Sequence, residues 1–148
     1  MGLALYDESE VLMPMDALEV VINKLRTYHN GRNGGAYEVL LHLRNDDPAV
    51  YYHGLSVGYD ADAGIDSGPL GNTGWSIKFS QGSRQPTEAE WDQVISGASL
   101  AMADIGATGT PDTSTYHPFW VRVYAPGETA AQLRSGQKIE VDYLEDVV

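Results

Sequence analysis

The chain has 148 residues, 43% of them apolar and 20% charged, and its 21 acidic and 9 basic side chains give a formal net charge of −12. That length suits one domain with a self-sufficient core, and the absence of cysteine excludes disulfides, thiol nucleophiles and thiolate metal sites. The charge argues against a nucleic-acid partner, because phosphates are neutralised by clustered Lys and Arg. No apolar run approaches the ~20 residues of a membrane span, so no membrane partner is expected. Asp7, Glu8 and Glu10 stand where a signal peptide would carry basic and then apolar residues, so no export signal is read. The 16 glycines and 7 prolines are spread along the chain, the punctuation of an all-β domain with many turns.

In chain order, residues 1–16 mix an acidic cluster and Pro14 with Leu3, Leu5, Val11, Leu12, Met13 and Met15, without a clean period. They are expected to form either an N-terminal arm lying across a neighbour or an edge strand, ahead of a single domain over 17–148. Leu12 and Met13 are the contact candidates in that segment. Residues 17–28 fit helical spacing through Leu18, Val21, Leu25 and Tyr28, and strand spacing through Leu18, Val20 and Ile22. The β-branched run Val20-Val21-Ile22 favours the strand. Over 38–44, Val39, Leu41 and Leu43 alternate with Glu38, Leu40, His42 and Arg44, the pattern of a strand with one buried face. A turn at Asn45-Asp46-Asp47-Pro48 leads to 50–59, a Tyr- and Val-rich strand despite Gly54 and Gly58.

Further along, Trp75, Ile77 and Phe79 mark one side of a strand over 75–80. Thr87 and Glu90 form a T-x-x-E capping box after Pro86, predicting a short helix over 87–95 with Trp91 and Ile95 on one face. Phe119, Val121 and Val123 alternate with Trp120, Arg122 and Tyr124, and Ile139, Val141 and Tyr143 with Lys138, Glu140 and Asp142. The tail 145–148 reads as a frayed end or a continuation of that last strand. About six or seven strands and one helix suit an antiparallel β-sandwich, with a closed barrel as the alternative.

Candidate chemistry is sparse. Asp60, Asp62 and Asp66 recur in a Gly-containing loop, and such carboxylates can converge on a hard cation such as Ca²⁺. An EF-hand would need Glu at the twelfth position from Asp60, where Gly71 stands, so a solvated acidic turn is the favoured reading and no cofactor is expected. His29, His42, His53 and His117 show no H-x-x-x-H or H-x-H spacing and read as surface or interface residues. No G-x-S-x-G, phosphate-binding loop or dinucleotide motif is present. Glu88 and Glu90 sit two apart at a helix start, where they complement the helix dipole. A non-enzymatic protein is therefore expected. The outward row Trp120, Arg122 and Tyr124 has the composition that interfaces enrich and is the leading contact candidate. The three tryptophans and nine tyrosines also admit a carbohydrate-binding module.

Three stretches carry a resemblance: Leu43-Arg44-Asn45-Asp46-Asp47 followed by Val50-Tyr51-Tyr52; Trp75-Ser76-Ile77-Lys78-Phe79-Ser80 leading to Pro86-Thr87-Glu88-Ala89-Glu90-Trp91; and Pro118 through Thr129 with its Trp120-Val121-Arg122-Val123 strand and Pro126-Gly127 turn. Over residues 37–145 this resembles the small immunoglobulin-like β-sandwich proteins of tailed-bacteriophage virions, of the head-decoration or tail-accessory kind. The resemblance implies a structural subunit of the virion, assembled in the host cytoplasm. Its partners would be other virion proteins, the major capsid protein among them, or further copies of itself in a homo-oligomer. Capsid decoration is the preferred placement, with a tail or baseplate accessory role as the alternative.

Overall fold

The computed structural model describes residues 2–13, 15–17, 20–24, 35–60, 76–106, 116–125 and 138–148, with side chains described except at 15–17, 20–24, 60, 125 and 138. Among the described residues the elements are β1 (Leu3–Tyr6), β2 (Met15–Ala17), β3 (Val20–Lys24), β4 (Gly35–Asn45), β5 (Val50–Asp60), β6 (Ser76–Gln81), α1 (Glu88–Asp92), β7 (Leu100–Ala101), β8 (Tyr116–Ala125) and β9 (Lys138–Val147). The strands form a four-stranded sheet in the order β1-β4-β8-β6 and a five-stranded sheet in the order β2-β3-β9-β5-β7. Every named pair is antiparallel. The fold is an all-β sandwich, with one short helix among the described residues.

The core lies between the sheets. Leu3 and Leu5 of β1, Leu41 and Leu43 of β4, Ile77 and Phe79 of β6, and Phe119, Val121 and Val123 of β8 line one side. Tyr52, Leu55 and Val57 of β5 and Ile139 and Val141 of β9 line the other. Each such burial contributes about 1.5–3 kcal/mol against the entropy of ordering the chain. In β5 the inward parity changes along the strand: Val50 and Tyr52 are buried, then Leu55 and Val57. One extra residue between His53 and Ser56 makes the change, and Gly54 there has φ of 59°. This is a β-bulge at the position glycine accommodates most readily.

The corner between β4 and β5 joins the two sheets through a buried amide. Asn45 Nδ2 donates to the Val50 carbonyl at 3.0 Å and the Gly106 carbonyl at 3.1 Å, and Oδ1 accepts from the Asp47 amide at 2.9 Å. Gly2 lies against this corner. A Cβ there would stand 2.4 Å from the Asp47 nitrogen, so the close approach requires glycine. The Gly2 amide donates to the Tyr52 hydroxyl, which donates to Glu145 Oε2 at 2.7 Å. Burial first, and the Glu145 bond second, push the Tyr52 phenol well above its ordinary range.

Several expectations change here. The arm reading of residues 1–16 gives way to the edge-strand alternative over Leu3–Tyr6, because Leu3 and Leu5 are core residues of the domain itself. The body of the domain therefore begins before residue 17. The last strand continues through Val147. Ile95 is 61% exposed and does not share a buried face with Trp91, because α1 ends at Asp92 and the chain turns away before Ile95. Of the two readings of His42, surface or interface residue, the surface one gives way: it is buried at 6% exposure because Tyr116 packs over it.

Candidate docking face on the four-stranded sheet

The outer face of the four-stranded sheet carries the sequence-predicted contact residues. Directly opposed residues share a face, so the register assembles it row by row. Ala4 faces Arg44, which faces Tyr116; Tyr6 faces His42, which faces Pro118; Leu40 faces Trp120, which faces Ser80; Glu38 faces Arg122, which faces Lys78. A hairpin adds a further member. The Met13 amide donates to the Leu5 carbonyl at 2.9 Å and Leu12 bridges to Tyr6. Leu12 thereby joins the Tyr6–His42–Pro118 row at 54% exposure, while Met13 packs against the core.

The Glu38–Arg122–Lys78 row is covered. Thr87 caps α1: its hydroxyl accepts from the Glu90 amide at 3.3 Å and its own amide donates to Glu90 Oε1 at 3.2 Å. Both halves of the predicted capping box are made. Arg84 clamps the same carboxylate with bonds of 2.8 and 2.6 Å. These contacts, the Arg84 bonds foremost, lower the Glu90 carboxyl to about 2. The cap sets Trp91 down on the sheet, where it is 1% exposed and lies outside the cluster of inner-face core side chains. Its indole N–H donates to Glu38 Oε1, Lys78 Nζ donates to its carbonyl at 3.0 Å, and Arg122 Nη1 pairs with Glu88 Oε2 at 2.8 Å. The Arg122 side chain is left 14% exposed. The expected exposed row Trp120–Arg122–Tyr124 is thus interrupted at its centre, because α1 packs across it. Tyr124 lies beyond the cover and is exposed.

The other rows stay open. Trp120 is half-buried and donates its indole N–H to the Ser83 carbonyl at 3.0 Å, which fixes the ring at the margin of the covered half. Tyr116 is exposed and meets His42 edge-to-face with centroids 4.6 Å apart. Its hydroxyl bonds His42 Nε2 at 3.2 Å. The Arg44 guanidinium lies 4.4 Å over the Tyr6 ring, a cation–π contact, and Nη2 donates to Asp46 Oδ1 at 3.2 Å. The Tyr6 hydroxyl donates to the other Asp46 oxygen, which raises the phenol above its ordinary value. The ring positions are therefore set by named bonds, and the surface they present is aromatic and preorganised.

Of the remaining candidates, Asp62 and Asp66 lie outside the described residues, and Asp60 ends β5 with its backbone paired to Lys138. Among the described residues no three His, Cys, Asp or Glu side chains come together to hold a metal. His29 and Trp75 also lie outside them. Glu88 and Glu90 are engaged by separate arginines, an arrangement that anchors the helix. Sequence reasoning missed Tyr6, Leu40 and Tyr116, and read His42 only as a surface or interface residue. The Leu3-Ala4-Leu5-Tyr6 alternation was the available signal for Tyr6, obscured by the acidic residues that follow it.

Comparison with protein-family models, with curated proteins and with solved structures finds no match.

Proposed function

We propose that this chain is a non-enzymatic structural subunit that docks on neighbouring proteins through the open half of the outer face of its four-stranded sheet. One observation carries the reading: the open rows bring Leu12, Tyr6, Tyr116 and Trp120 onto one surface while the adjacent row is closed by α1. Aromatic side chains held in fixed positions are what binding hot spots are made of. The resemblance to small virion sandwiches supports placing the subunit on a tailed-phage particle, as a capsid decoration protein or, alternatively, a tail or baseplate accessory. Immunogold labelling of virions with antibody against the chain tests this. Label on heads supports decoration, label on tails moves the subunit there, and particles free of the protein overturn the virion setting. A subunit carrying Leu12→Ser, at an exposed position, is expected to fold and fail to join the particle.

A second reading, a carbohydrate-binding module, is favoured by the exposed Tyr116 ring beside its register partner Arg44, which is hydrogen-bonded to Asp46. Glycan-dependent thermal shifts that Tyr116→Ala abolishes would support it. A melt with EDTA tests whether Asp60, Asp62 and Asp66 hold Ca²⁺, with a fall in melting temperature as the supporting result.

A further inference from the structure

We propose that the partner taken by this face is a protein surface with an aromatic or aliphatic centre ringed by Lys and Arg, and not a second copy of this chain. The inference rests on the docking role above and adds the chemistry of the partner.

Leu12, Tyr6, Leu40, Trp120 and Tyr116 make the face largely aromatic and aliphatic, while its free charge is acidic. Next to Leu12 the chain makes a tight turn whose geometry is locked. Asp7 Oδ1 accepts from the amides of Ser9 and Val11, both at 2.9 Å, the Asp7 amide donates to the Val11 carbonyl at 2.9 Å, and Glu10 takes a left-handed φ of 61°. This turn holds Glu8 and Glu10, both exposed, at the margin of the face. Neither enters an ion pair among the described residues. Arg44, the basic group within the open rows, is already balanced by Asp46. An interface with an apolar centre and a charged rim takes its orientation and its encounter rate from the rim. A partner with basic residues outside its apolar centre is complementary. A second copy is not: a two-fold contact sets the same patch against itself and brings two −12 chains together rim to rim.

An independent observation marks the same face. His42 Nδ1 is buried without a hydrogen-bond partner, the one such side-chain atom among the described residues, and it lies in the middle of the open rows. A buried nitrogen left unpaired costs stability in the free chain. Departures from local satisfaction of this kind gather where a surface serves something besides its own fold.

The test presents the intact protein to a library of random dodecapeptides displayed on filamentous phage, at about 0.15 M salt where only near contacts between charges survive screening. An enriched peptide is then synthesised and its affinity measured. The expected peptide carries net positive charge beside an aromatic or aliphatic residue. Its affinity falls about tenfold or more with Leu12→Ser or Tyr116→Ala. It falls about three- to fivefold with Glu8→Gln and Glu10→Gln together, an effect that shrinks as salt rises. Leu12 is exposed, so its variant keeps the fold even where Tyr116→Ala does not. Neutral or acidic peptides that still require Leu12 and Tyr116 overturn the basic partner and leave the docking face standing. Peptides indifferent to both residues, or no enrichment, overturn the inference and the docking face together. A dimer seen by light scattering and dispersed by Leu12→Ser overturns it in favour of self-association.

Discussion

Trp91 and Trp120 lie on the same outer face of the four-stranded sheet and are held in different ways. Trp91 is brought down from outside by α1 and is closed over by Glu38, Lys78 and the helix itself. Trp120 grows out of the sheet, spends its indole N–H on Ser83, and keeps part of its ring in solvent. One half of the face is thus an added layer of the fold, with charged residues of the sheet recruited as its hydrogen-bonding partners. The other half is a surface. Outward position on a strand does not decide the role of a side chain; what the rest of the chain lays over it does.

The largest effect is expected on the open side. A chain starting at Asp16 lacks Leu3 and Leu5, whose burial supplies about 3–6 kcal/mol together, against a total of ~5–15 kcal/mol for a domain. It is expected to be unfolded or molten by near-ultraviolet circular dichroism. A truncated chain that melts cooperatively at the parent temperature would show that β1 is dispensable. Next in size, Trp91→Ala is expected to cost about 3–5 kcal/mol in urea denaturation, and Trp120→Ala roughly 1 kcal/mol, in keeping with its partial exposure. Equal costs would erase the distinction between the two halves.

Smaller effects sharpen the covered half. Thr87→Ala removes one side of the capping box and is expected to cost about 1 kcal/mol, with faster hydrogen exchange over α1 and little change in β4 or β8. Glu90 gives the pH dependence. Its carboxyl is lowered from 4.5 to about 2, so the folded state favours the charged form. The stabilisation is present above the unfolded value near 4.5 and is lost as pH falls toward 2. A carboxyl titration followed by NMR is expected to show Glu90 with a midpoint near 2, moving up toward the ordinary range in Arg84→Ala. A Glu90 midpoint unmoved by Arg84→Ala would remove the clamp from the account.

Much of the sandwich is legible in the residues themselves. Val39, Leu41 and Leu43, Ile77 and Phe79, Phe119, Val121 and Val123, and Ile139 and Val141 alternate in sequence and are buried or half-buried on inner faces in the structure. A strand places alternate side chains on opposite faces, so period-two patterning is a direct record of burial. The Thr87–Glu90 spacing likewise foretells the cap of α1, because both bonds close within one turn. Local chemistry determined these features.

Where the record fails, a non-local contact intervenes. The bulge at Gly54 exchanges the faces of β5, and no periodicity reveals which partner strand absorbs the extra residue. The docking face draws on residues 6, 12, 40, 42, 116 and 120, joined by the return of the N-terminal hairpin and by the β4–β8 register. The interruption of the Trp120–Arg122–Tyr124 row needed α1 to cross it. The residues alone specify an all-β chain, most of its inward positions and the cap of α1, because backbone geometry and solvent act on each segment separately. Which outward residues are covered and which remain a surface follows from the folded chain, because it depends on where distant segments come to rest.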